Sequence, residues 1–135
     1  MNKLLNINVH ITGFSQVKSG KTTVNFIQFD GDCNEPFFIG KIIAGGVDTQ
    51  KYEEGKEGTL SARYILKGKD KNGTDTQIFI ENNGICHADG SITTTPWIVT
   101  DNQELQPLFE GKLSGKVVGV DTPEHDRVLI EIYKD

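Results

Sequence analysis

GTLSARYILKGKDKNGTDTQIFIEN, residues 58–82, decides the fold class. In its first half Leu60, Ala62, Tyr64 and Leu66 fall on one face, and Thr59, Ser61, Arg63, Ile65 and Lys67 on the other. Successive side chains of a strand point to opposite faces, so this alternation reads as a half-buried strand. Residues 76–82 alternate again. Between the two runs stands Asn72-Gly73, residue types that accept the positive φ of a tight hairpin turn. The stretch is therefore an antiparallel pair.

The pattern recurs on both sides. Leu5, Ile7, Val9 and Ile11 alternate with Asn6, Asn8 and His10. Further strands are expected at 22–29, 36–43, 112–120 and 127–133, with 36–43 apolar on both faces and so covered on both sides. Asp89-Gly90 and Asp121-Thr122-Pro123-Glu124 supply turns. One short helix is expected at 102–109, capped by Asp101 with Glu104 as capping-box partner and limited by Pro107. Short connections favour an antiparallel meander over βαβ units. Seven to nine strands with almost no helix mean a sandwich or a barrel, and closure hides strand edges best.

The chain has 135 residues and no linker, repeat or low-complexity tract, so 1–135 reads as a single β-barrel domain. Fourteen basic against nineteen acidic residues give a net charge of −5, which repels phosphate backbones and excludes general nucleic-acid binding. No apolar run approaches the roughly 20 residues of a membrane helix, and Asn6, Asn8 and His10 interrupt any signal sequence. A cytoplasmic location and no membrane partner are expected. Cys33 and Cys86 are then free thiols.

Several chemical signals dissolve on inspection. SQVKSGKT, residues 15–22, resembles a phosphate loop, but Ser15 stands where the first glycine belongs and the following TTVNFIQF is strand-forming. It reads as a polar hairpin. His10, His87, His125, Cys33 and Cys86 show no metal-ligand spacing, so no metal and no cofactor is expected. Cys86 reads as a small core hydrophobe before it reads as half of a Cys–His nucleophile. Asn72-Gly73-Thr74 matches a glycosylation sequon, and without secretion it is only a turn.

Arg63 and Trp97 each carry two readings. Alternation puts Arg63 in water. Inside the barrel it would need a carboxylate or an anionic ligand, with Asp48 as one partner. Trp97, the only tryptophan, is either a core residue or a pocket wall.

GGVD (45–48), LSARYIL (60–66), IFIENNG (78–84) and the stretch from TTPWIV (94–99) to GKLSGKVVGV (111–120) resemble uncharacterised protein family 0311, which carries the domain of unknown function numbered 3237. The resemblance implies a calycin-like antiparallel barrel with a pocket at or inside it, and implies little function. Matched position by position, Asp48, Arg63, Tyr64 and Asn82 take the family's Asp, Arg, Tyr and Asn, and Gly84 its strand-closing glycine. Thr49 stands where the family has an aromatic residue, and Ser61 where it often has an acidic one. The hairpin KGKDKNGTDTQ (67–77) looks longer than the family's. Beside an Asp and an Asn, Arg63 is easier to explain in a polar cluster, so its inward placement stays open. The expectation is that it faces a pocket within salt-bridge reach of a carboxylate, with Asp48 the first candidate.

The expected fold is all-β, a single calycin- or lipocalin-like antiparallel barrel. Three functions follow. The first is binding of a small organic, even anionic, molecule through Asp48, Arg63, Tyr64, Asn82 and Trp97. The second is an isomerase, cyclase or lyase with Asp48 or Glu81 as acid/base, Tyr64 as donor and Arg63 as anion clamp. The third is an interaction barrel with a filled interior. The partner is an unidentified small molecule, and a homo-oligomer is open.

Overall fold

The computed structural model describes residues 2–135. The strands are β1 (Asn2–Ser19), β2 (Thr22–Glu35), β3 (Phe38–Ile42), β4 (Gly46–Glu53), β5 (Gly58–Asp70), β6 (Asp75–Cys86), β7 (Ile92–Thr100), β8 (Leu113–Gly119) and β9 (Arg127–Lys134). All pair antiparallel in one sheet, and the β1–β2 and β1–β9 pairings close it into a ring. β3 and β4 share one place in that ring. β3 pairs with the ends of β2 and β5 at residues 32–35 and 66–70, and β4 pairs with their other halves at 22–29 and 59–63. Eight places around a ring leave an interior that side chains can fill or that can hold one small ligand.

The expected hairpins are present. Ser19 pairs with Thr22 across Gly20-Lys21, where Gly20 has a φ of 58°, so the 15–22 segment is a hairpin and not a phosphate loop. Two strands went unread in the sequence, β4 and β7. Gly45-Gly46 and the charged Lys51, Glu53 and Glu54 disguise β4, and Pro96 disguises β7. The expected helix shrinks to a single 3-10 turn at Gln106–Phe109. Asp101 does not cap it, because its Oδ1 accepts the Gln77 N–H, while Asn102 Oδ1 accepts the Glu104 N–H. No helix among the described residues is long and apolar enough to cross a membrane.

The two halves of the interior differ. At the β3 level Leu5, Ile7, Cys33, Phe38, Leu66, Ile78 and Ile132 are essentially fully buried and fill the ring. Phe109 of the 3-10 turn and Leu105 just before it pack into the same core. Lys134 Nζ ties that segment down by donating to the Pro107 and Leu108 carbonyls at 3.0 and 3.2 Å. The β4 level is not filled.

Candidate functional site

One rung of the ladder explains the gap. Ile27, Asp48, Ala62, Asn82 and Pro96 stand in register across β2, β4, β5, β6 and β7. Where the neighbouring level has Leu66 and Ile78, this rung has a carboxylate, a methyl group and an amide. A cavity of about 140 Å³ results, lined mainly by apolar side chains that include Ile11, Phe29, Leu60, Ile92, Val117 and Ile130. Its polar wall is Asp48, Gln50, Tyr64 and Asn82. An apolar cavity of this size accepts a molecule of roughly benzene dimensions.

The polar wall is under-satisfied. Among the described residues Asp48 Oδ1, Tyr64 OH and Asn82 Oδ1 are buried with no hydrogen-bond partner, and so is the nearby Thr94 Oγ1. Most buried polar atoms are paired, since an unpaired one forfeits its hydration for nothing in return. Three such atoms face one cavity, so its wall carries two acceptor oxygens and a hydroxyl that can donate or accept.

Electrostatics narrow which groups. Asp48 Oδ2 accepts the Gln50 Nε2 amide at 3.2 Å, and among the described residues no cation forms an ion pair with Asp48. Burial pushes the Asp48 carboxyl above its ordinary value, and the Gln50 amide and Ser61 main chain offset this only in part. Tyr64 is fully enclosed, and burial raises its hydroxyl far out of the physiological range, so it stays a neutral donor. Its ring packs edge-on against Phe29 with centroids 5.3 Å apart. Gln50 continues the polar wall outward: its Oε1 accepts from Asn25 Nδ2 at 3.4 Å and from the Tyr52 hydroxyl at 3.3 Å. The Tyr52 hydroxyl also lies 3.5 Å from Cys86 Sγ. That contact first, and burial second, push the Tyr52 hydroxyl up to about 12.

The residues singled out in the sequence separate into two groups. Asp48, Tyr64 and Asn82 meet inside the barrel. Arg63 and Trp97 do not join them. The Arg63 side chain is 61% exposed on the outer face, and its Nε donates to Glu81 Oε2 at 3.0 Å. Its inward placement and its pairing with Asp48 are therefore corrected: Ala62, not Arg63, stands opposite Asp48. Trp97 is also outward and 59% exposed, with its ring steeply inclined to that of Phe79 and the centroids 6.1 Å apart, so it is neither core nor pocket wall. Glu81 faces outward as well. The Asn83 amide first, then Arg63, hold its carboxyl below the ordinary range, which removes it from the acid/base candidates.

Gln50 was missed. Once 46–53 is known to be a strand, period two from Asp48 puts Gln50 and Tyr52 on the same inner face. The histidines lie apart from the cavity. His10 bridges Asp30 and Asp126, and His87 bridges Glu57 and Thr93. Cys86 meets Tyr52 and no histidine.

Solved structures share this architecture. A protein of unknown function from Clostridium acetobutylicum ATCC 824 superposes with a TM-score of 0.79 at 21% identity, covering 99% of this chain and 97% of that one. A β-barrel-like protein from Acinetobacter baumannii AYE gives 0.75 at 16% identity, covering 98% and 92%. A conserved protein of unknown function from Rhodopseudomonas palustris gives 0.71 at 16%, covering 97% and 93%. These likenesses show the antiparallel β-barrel fold and no activity. No curated protein matches the chain. The family model described as "Protein of unknown function (DUF3237)" matches residues 1–95, from β1 through the Asp48, Tyr64 and Asn82 rungs into β7, and the chain belongs to that family.

Proposed function

We propose that the barrel binds a small, neutral, largely apolar molecule carrying hydroxyl groups, seated with its polar end on Asp48, Tyr64 and Asn82. The observation that carries this reading is the convergence of three unpartnered buried polar atoms on one apolar cavity. Two of them, Asp48 Oδ1 and Asn82 Oδ1, are acceptors, and Tyr64 OH can also donate. A phenolic or alicyclic alcohol satisfies such a set. An anionic ligand does not, because among the described residues no cation lines the cavity, and Asp48 would repel it. The anion clamp expected of Arg63 is absent from this reading.

The acid/base alternative keeps Asp48 and Tyr64 but loses Arg63 and Glu81 to the outer face. Binding needs neither of the lost residues, and it is the reading the geometry supports best.

A thermal-shift series with phenol, cyclohexanol and benzoate tests it. The two neutral alcohols should stabilise the protein and benzoate should not. At a hundred times its dissociation constant a ligand stabilises by roughly 2.7 kcal/mol. The response should vanish in Ala62→Met, which fills the cavity, and persist in Arg63→Ala. Stabilisation by benzoate that Arg63→Ala abolishes would refute the internal site.

A further inference from the structure

The outer face of β4, β5, β6 and β7 carries a second pattern, independent of the cavity. Two rungs there are apolar or ion-paired. One runs Val47, Arg63, Glu81, Trp97 across β4, β5, β6 and β7. The next runs Ile65, Phe79, Val99, with Ile43 joined to it by its N–H on the Ile65 carbonyl at 2.9 Å. Trp97, Val99 and Ile43 are 59%, 40% and 38% exposed. Large apolar side chains grouped in this way on an outer surface mark an interaction site more often than isolated ones do.

Charge on this face is sorted about the line between β5 and β6. On the β3–β5 side the outward positions include Lys41, Arg63, Lys67 and Lys69. On the β6–β7 side they include Asp75, Glu81 and, just past the end of β7, Asp101. A two-fold axis along that line, parallel to the strands, carries each half onto the other. It sets Arg63 against Glu81 of a second copy, Ile65 against Phe79, Val47 against Trp97, and Ile43 against Val99. It also brings Lys41 toward Asp101 and Lys69 toward Asp75. A two-fold interface must be self-complementary, and this face is so in both charge and apolar content.

We infer that the outer β4–β5–β6–β7 face is a two-fold interface with a second copy of this chain. Four strand places at about 4.8 Å spacing give a patch roughly 15–20 Å wide on a convex wall, at the small end of specific interfaces. The dimer is therefore concentration-dependent.

Sedimentation of the full chain over about 1 µM to 1 mM reads it directly. The weight-average mass should climb from 14.9 kDa toward twice that value. Arg63→Glu alone and Glu81→Arg alone should each stay monomeric, because each sets like charges face to face. An equimolar mixture of the two should recover association, because each variant then meets its complement. Circular dichroism checks that both fold; should either not, Trp97→Glu replaces it and should also abolish association. A wild type that remains monomeric throughout, or a mixture no better than its components, overturns the inference.

Discussion

Replacing Tyr64 by Phe should make the unliganded protein more stable. The usual expectation is the reverse, since deleting a buried hydroxyl removes a hydrogen bond. Here the hydroxyl is enclosed and has no partner. Burying an unpaired hydroxyl costs about 1–3 kcal/mol on mutational scales. The ring stays, and with it the edge-on contact to Phe29. Removing one oxygen enlarges the cavity by roughly 10 Å³, which at about 24 cal/mol per Å³ costs only about 0.2 kcal/mol. The net expectation is a gain of about 1–3 kcal/mol. For 135 residues the unfolding entropy is about 0.28 kcal/mol per kelvin, so Tm should rise by about 3–10 °C. Calorimetry and urea denaturation measure the same gain in two ways. Affinity for the neutral alcohols should fall in the same variant, because the hydroxyl then has nothing to donate. A lowered Tm would show that the hydroxyl is satisfied in the free protein, by water lodged in the cavity, and would remove it as a marker of ligand contact.

Asp48→Asn tests the other end of the wall. Because burial raises the folded-state pKa above the ordinary 3.8, the folded protein holds that proton more tightly than the unfolded chain. Stability therefore falls as pH rises from about 3.8 through the folded value and then levels off. The Asn variant lacks this fall, so its advantage should be present at pH 7 and absent below pH 3.8, as denaturant titrations at the two pH values will show; equal effects at both would contradict the desolvation argument. Gly68→Ala should destabilise by more than about 3 kcal/mol, since its methyl group would be driven into the Ile39 carbonyl oxygen and lie 2.5 Å from Gly40 Cα; a melt within 2 °C of wild type would mean that β3 and β5 part more easily than their register implies. Cys33, whose thiol burial and then Glu35 and Asp32 push up to about 12, should resist a disulfide reagent in the folded state and react on unfolding; peptide mapping that finds it modified in native protein would contradict this.

The contrast between Arg63 and Asp48 shows what the sequence could and could not supply. Alternation along 58–67 places Arg63 outward, and that placement is correct. The resemblance drew it inward, because Asp48, Arg63 and Asn82 recur together in one family pattern. Nearness in a pattern says nothing about which face of the sheet each side chain takes. That depends on register, and register here needs β4, which Gly45-Gly46 and the charged residues after it concealed. With β4 in place Asp48 pairs with Ala62, and Ala62 with Asn82, while Arg63 pairs with Glu81 one residue along. A one-residue step moves a side chain through the sheet. Trp97 failed for a related reason. TTTPWIV is apolar on both faces, so its parity is invisible until Pro96 is set opposite Asn82.

The seam between β7 and β8 connects this register to the strength of the barrel wall. The two strands share a single ladder pair, Thr94 with Gly115. Pro96 has no N–H to extend that ladder. A side chain at 115 would collide with Thr94 Oγ1, so glycine there lets β8 approach and leaves that hydroxyl beside the Asn82 amide. Ile92 and Val117, on the two sides of the seam, both line the cavity. The wall next to the unpartnered oxygens is thus the one held by the fewest main-chain hydrogen bonds. Opening a segment costs least where fewest such bonds and contacts are lost, so this seam should be the first part of the wall to yield. The features that left β7 hard to read, Pro96 and the threonines before it, are the same features that weaken the barrel beside its polar wall.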